Sequence, residues 1–69
     1  MTQKELLYIE DAIGHEKCIL SNLYDINNCL SDEDLKDFIK KEIKMHQKIN
    51  EDFLKLLKEK ANEWSNAIR

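Results

Sequence analysis

Three ionisable side chains fall where the spacing of hydrophobic residues calls for apolar ones. Glu16 lies in a series of apolar residues that recur every three or four positions, and Glu42 and His46 lie in a second such series. A carboxylate or an imidazole on the buried face of a helix loses its hydration, which is costly unless a partner compensates. These three residues are therefore the candidates for chemistry in this chain.

The three side chains are predicted at one level of the fold. If the chain turns back near residues 29–31, position 16 stands opposite positions 42–46. In one interpretation they form a polar layer, in which Glu16 and Glu42 hydrogen-bond a protonated His46 and fix the register of the packed helices. In the other, two copies of the chain bring their glutamates and histidines around a pair of metal ions, iron or another divalent metal.

The spacing on the second helix bears on the metal interpretation. Dimetal carboxylate bundles use a Glu-x-x-His motif, in which the two ligands are three residues apart. Glu42 and His46 are four residues apart, which keeps both on one face but turns the imidazole away from the usual placement. Both interpretations stay open at this point. A second group, Asp11, His15 and Cys18, has one-turn spacing that could hold a zinc ion weakly, but a solvated helix face is the favoured interpretation.

Two helices must position these residues. Thr2 and Glu5 have the spacing of a capping box, and the apolar repeat that follows predicts a first helix over about residues 3–28, ended by Asn27 and Asn28. Ser31 is predicted as the N-cap of a second helix over about residues 32–66, with acidic residues on the positive end of its dipole. Its apolar series continues as far as Trp64.

A link as short as residues 29–31 forces two helices into an antiparallel hairpin, so residues 1–69 are predicted as one all-α domain. On a helical wheel the apolar residues of the second helix cover about half the circumference, more than one partner helix can bury. The hairpin therefore needs a further helical surface. A second copy would supply it, and the sequence predicts a homodimer, or a higher homo-oligomer, that forms a four-helix bundle.

Composition excludes several classes of function. The net charge is −3 and charges of both signs are mixed, so there is no basic face for nucleic acid or for an anionic membrane surface.

The sequence has no membrane-spanning run and no secretory signal peptide, which predicts a cytoplasmic protein. It also has no set of nucleophile, base and orienting residue and no glycine-rich phosphate loop, which favours a protein that is not an enzyme. Cys18 and Cys29 are too far apart on one helix for a disulfide and are predicted to be free thiols.

Three segments carry a family resemblance: "TQKELLYIEDAI", "LSDEDLKDFIKKEI" and "HQKINEDFLKLL". Over about residues 3–57 the chain resembles the spore coat protein F family, a set of small ferritin-like helical proteins of spore-forming Firmicutes. The hairpin also looks like the short two-helix encapsulated ferritins, which dimerise to build a di-iron site. The first resemblance implies a ferritin-like bundle, a spore-associated location and other spore-coat proteins as partners.

Together these features predict a non-enzymatic helical bundle protein that self-associates, with a spore-coat or sporulation role implied by the resemblance. The alternative is a metal-binding half-ferritin module of the di-iron type, in which Glu16, Glu42 and His46 from two chains hold the metal.

Overall fold

The computed structural model describes the backbone of residues 2–68 and the side chains of residues 2–63. Over that part of the chain all regular structure is helical: α1 spans Gln3–Cys29, α2 spans Glu33–Ile68, and residues 30–32 join them. The helices pack against each other as an antiparallel hairpin, which confirms the predicted all-α class. The predicted role of Trp64 in the apolar series lies outside the described side chains. Within residues 2–68, neither helix has a segment both long and apolar enough to cross a membrane.

A capping box starts α1, as the sequence predicts. The Thr2 hydroxyl accepts a hydrogen bond from the backbone N–H of Glu5 at 3.1 Å, and the Glu5 carboxylate accepts one from the backbone N–H of Thr2 at 3.0 Å. The bonds from Thr2, first from its backbone and then from its side chain, lower the pKa of Glu5. Because the folded pKa lies below the unfolded one, the contribution of this carboxylate is lost as the pH falls through the folded pKa.

The start of α2 differs from the prediction, because Asp32 and not Ser31 is its N-cap. The Asp32 carboxylate accepts the backbone N–H of Leu35 at 3.0 Å, and the Asp32 carbonyl accepts that of Lys36 at 3.0 Å. Serine and aspartate both suit an N-cap, so sequence alone does not separate neighbours of this kind. The carboxylate also places a full negative charge on the positive end of the helix dipole, which favours Asp32.

The end of α1 differs as well. Asn27 and Asn28 lie inside the helix, which ends at Cys29, and Leu30 follows in an extended conformation with φ −85° and ψ 143°. No residue in the described backbone has a positive φ. The helix therefore ends on an extended Leu30, and the left-handed conformation for which asparagine is suited is not needed.

A regular inner seam joins the helices. Its positions alternate in steps of three and four residues on both helices, as in an antiparallel coiled coil, and every one of them is buried or half-buried. The inner seam consists of Leu6, Ile9, Ile13, Glu16, Leu20, Leu23 and Asn27 in α1, of Leu30 directly after α1, and of Lys36, Ile39, Ile43, His46, Asn50, Phe53, Leu57 and Lys60 in α2. Among the described side chains only Ile13 and Ile43, each 7% exposed, count as buried.

The hairpin is a thin rod. Its principal extents are 55 × 16 × 12 Å and its radius of gyration is 16.1 Å. A compact domain of this length would have a radius of gyration of about 11 Å. A rod two helices thick can cover only one stripe of each helix, so much of the apolar surface stays in contact with solvent.

Replacing Gly14 with alanine is expected to stabilise the protein. Gly14 lies inside α1, and a Cβ atom built there meets no atom within 4 Å. Glycine in a helix interior costs about 0.5–1 kcal/mol relative to alanine, so Gly14→Ala should raise the free energy of unfolding by about that amount. Urea titration followed by circular dichroism measures the change. Ser21→Ala, seven residues further along the same face, is the control and should give a smaller gain. Destabilisation by Gly14→Ala would show that another surface packs closely on this position.

Candidate functional site

The closest polar contact between the helices joins Glu16 of α1 to His46 of α2. His46 Nδ1 lies 2.6 Å from Glu16 Oε2, and the two side chains are 20% and 14% exposed. An ionised carboxylate can only accept a hydrogen bond, so with Glu16 ionised this contact requires the imidazole form that carries a proton on Nδ1. This contact directs the Nδ1 edge of the imidazole ring toward α1.

Glu42 lies on the other side of the same ring. Its Oε2 is 3.9 Å from His46 Nε2, and its side chain is 29% exposed. That distance is too long for a hydrogen bond but suits an ion pair when Nε2 is protonated. The structure thus brings the three residues predicted from sequence together, with the imidazole between two carboxylates. We call Glu16, His46 and Glu42 the Glu–His–Glu layer.

The Glu–His–Glu layer can specify how the two helices pair. If α2 slid by one heptad, Glu16 would stand opposite Ile39 or Phe53, and His46 opposite Ile9 or Leu23. Glu16 and His46 would then lose the hydrogen bond between the helices, which costs about 1–3 kcal/mol for a neutral group and more for a charge. The observed register is the one that satisfies both, so a layer in the middle of the seam acts against slippage.

Two asparagines add uncharged polar groups to the inner seam. The side-chain oxygens of Asn27 and Asn50 are buried and have no hydrogen-bond partner among the described residues. The apolar pattern of the sequence assigns no role to Asn27 and passes over Asn50. The strict three–four spacing through Ile43, His46 and Phe53 is the signal that places Asn50 in the seam. Because unsatisfied buried oxygens are costly, the inner seam is a weak source of stability.

The described residues of a single chain do not assemble a metal site. Among the described residues no group of three or more His, Cys, Asp and Glu side chains is placed to hold a metal ion. Glu16 and Glu42 face different ring nitrogens of His46, so a metal bound at either nitrogen would lie next to only one of them. The metal interpretation therefore requires ligands from a second chain, and it stays a prediction.

The other candidate group is solvated. His15 Nε2 lies 3.2 Å from Asp11 Oδ2 in a pair that is largely exposed, and Cys18 is exposed nearby on the same helix. Cys18 and Cys29 are both free thiols. Exposed ion pairs of this kind contribute little to stability, so the pair is interpreted as an ordinary helix surface.

Comparisons with known proteins do not assign the chain to a family. The chain matches no protein-family model, no curated protein and no solved structure. The likeness of its three segments to the spore coat protein F family therefore remains a prediction from sequence.

Proposed function

We propose that this chain is a non-enzymatic structural protein whose hairpin self-associates into a helical bundle of at least two copies. One observation carries the proposal. Among the described side chains only Ile13 and Ile43 are buried, while ten large hydrophobic side chains are exposed. Fixing the backbone costs about 1–2 kcal/mol per residue. The burial of two isoleucines and a half-buried seam offsets only a small part of that cost for two long helices.

Small domains are stabilised by a few well-known means. Chains of this length normally rely on disulfides, metals or oligomerisation. Both cysteines are free, and among the side chains of residues 2–63 no group is placed to hold a metal ion. Oligomerisation is the remaining means of stabilising the rod, and it would bury the surface that the hairpin leaves exposed.

The sequence resemblance indicates the kind of assembly in which the protein would act. A self-associating rod of this kind suits a layered assembly such as a spore coat, in which it would pack with copies of itself and with other coat proteins. The Glu–His–Glu layer would be structural in this setting, because it holds the two helices in one register. Each copy would then present the same surface to the next.

The test is the dependence of mass and stability on protein concentration. Sedimentation velocity at micromolar concentration should give at least twice the mass of one chain, and the thermal midpoint should rise with concentration because association is coupled to folding. A stable monomer with a concentration-independent midpoint would overturn the proposal. Repeating the measurement after chelation addresses the alternative: assembly that is lost on chelation and restored by Fe(II) would favour the metal-binding half-ferritin module instead.

A further inference from the structure

The exposed apolar residues are concentrated on one side of the hairpin. On each helix, the residues that directly precede every second inner-seam position, such as Ile19 before Leu20 and Ile49 before Asn50, form one row with members seven positions apart. In an antiparallel helix pair the two rows lie on the same side of the seam. The rows consist of Ala12, Ile19 and Ile26 in α1 and of Leu35, Glu42, Ile49 and Leu56 in α2; we call this side the apolar flank.

Burial supports this placement. Outside the inner seam, the half-buried residues among the described side chains are Ala12, Glu42 and Ile49, and all three belong to the apolar flank. The pairing of Glu16 with His46 sets Ala12 level with Ile49. Residues from the two rows therefore shield one another, as neighbours across a seam do.

The opposite side of the hairpin is mostly polar. Its rows carry Glu10, Lys17 and Tyr24 in α1 and Lys40, Gln47 and Leu54 in α2. A hydrogen bond of 2.7 Å from the Gln47 amide to the Tyr24 hydroxyl spans this side. Solvent suits this surface, with Leu54 as the exception.

On α2 the apolar flank is part of a second seam. Phe38 and Met45, both exposed, lie beside the α2 row of the apolar flank. Together with that row they form a series with steps of three and four residues that runs parallel to the inner seam. We call this series the outer seam: Leu35, Phe38, Glu42, Met45, Ile49, Asp52 and Leu56. A shallow groove lined by Ile49, Asp52, Phe53 and Leu56 lies at its far end. A helix with two adjacent seams is built to contact two helices, and α1 covers only the inner one.

We infer that the outer seam of α2 packs antiparallel against the outer seam of a second copy, about a twofold axis close to Met45. The inference rests on the proposed self-association and adds its surface, orientation and register. Identical seams on two copies are self-complementary when a twofold axis relates them. Centred on Met45, the pairing sets Leu35 opposite Leu56 of the second copy, and Glu42 opposite Ile49 of the second copy.

Charge selects the antiparallel orientation. In a parallel pair, Glu42 would face Glu42 of the second copy and Asp52 would face Asp52, so both acidic interruptions of the seam would meet a like charge. In the antiparallel pair centred on Met45, both acidic residues stand opposite apolar ones. Juxtaposed like charges in an interface cost several kcal/mol, which is enough to decide between orientations.

The ends of the outer seam select the register. Only the pairing centred on Met45 sets the two end leucines, Leu35 and Leu56, against each other. Sliding the copies by a heptad in one direction sets Glu42 against Glu42, and any slide leaves one end leucine without an apolar partner. At the border of the contact, Asp34 lies within about two residues of the level of Lys55 of the second copy. Lys41 lies equally close to the level of Lys48 of the second copy, and the Lys48 ammonium is already held by Asp52 at 2.8 Å.

Disulfide trapping tests the inference. In a background with Cys18→Ser and Cys29→Ser, Met45→Cys should form a disulfide with itself between copies under mild oxidation. Leu35→Cys and Leu56→Cys should each stay unlinked alone and cross-link when the two proteins are mixed. Leu54→Cys is the control: Leu54 is 46% exposed against 48% for Met45, but it lies on the polar side. A millimolar effective concentration at the contact should make the Met45→Cys reaction on the order of a hundredfold faster than that of Leu54→Cys at micromolar protein.

The outcomes separate this inference from the proposed function. Self-linking of Leu35→Cys would show a parallel pair, and faster linking of Leu54→Cys than of Met45→Cys would show that the other side is used; either result overturns the inference. Sedimentation of the same variants is measured first. A monomer at that stage contradicts the proposed self-association itself, whereas a dimer without the expected cross-links contradicts only the surface and register. The Leu35→Cys and Leu56→Cys mixture gives an independent reading if Met45→Cys perturbs folding.

Discussion

Met45→Glu is expected to dissociate the assembly and, with it, to unfold most of the helical structure. Met45 lies at the centre of the outer seam, so a twofold contact would bring the two introduced carboxylates together without partners. Losing the burial of two methionine side chains, at about 1.5–3 kcal/mol each, raises the dissociation constant by on the order of 10²- to 10⁴-fold. Because one hairpin buries so little alone, the released chain should lose helicity and not persist as a folded monomer.

Leu54→Glu is the matched control for this substitution. It lies on the same helix with nearly the same exposure as Met45, but on the polar side of the hairpin. Sedimentation velocity and far-ultraviolet circular dichroism over a concentration series should show a dissociated, less helical Met45→Glu protein and a wild-type-like Leu54→Glu protein. Equal behaviour of the two variants would mean that the outer seam is not the contact surface.

The hairpin itself is predictable because each local signal agrees with it. The capping box at Thr2 and Glu5, the acidic start of α2 and the apolar repeats all indicate two helices and a short link. The exact link is less predictable. Ser31 and Asp32 are both good N-caps, and asparagine is accepted inside a helix as well as at its end, so the boundary depends on interactions that the sequence pattern does not rank.

A helical wheel of α2 merges its two seams into one apolar arc. Summed over the whole helix, the apolar residues form one arc of about half a turn, with Glu42 and His46 near its centre. The structure divides that arc into an inner seam, which contains His46, and an outer seam, which contains Glu42. A position central to the arc therefore lies at the border of two contacts. This is why Glu42 is the most exposed member of the Glu–His–Glu layer.

The sequence predicts which residues form the Glu–His–Glu layer but not the geometry of their contacts. The level of Glu16 and His46 follows from the length of the link, but the geometry of the contact does not. A pattern of residue types does not say that Nδ1 faces Glu16 at 2.6 Å while Nε2 faces Glu42 at 3.9 Å. Asn50 escapes prediction for a related reason, since a search for apolar spacing passes over polar residues that occupy seam positions.

A double-mutant cycle on Glu16 and His46 is expected to show a strong coupling. Each single alanine substitution leaves the other group half-buried without its partner, so the loss in each single variant includes the cost of an unsatisfied polar group. The double variant removes both groups and should be more stable than the sum of the single effects predicts. We expect a coupling energy of about 1–3 kcal/mol from urea titrations of the four proteins at one fixed concentration.

The chain contains its own control for this cycle. Asp11 and His15 pair the same two chemical groups at 3.2 Å, but their side chains are 75% and 73% exposed. Exposed pairs are screened by water, and their coupling should stay below about 0.5 kcal/mol. A Glu16–His46 coupling no larger than this would contradict the register-fixing polar layer. Such a result would favour the metal interpretation, in which Glu16 and His46 bind metal ions together with residues of a second chain.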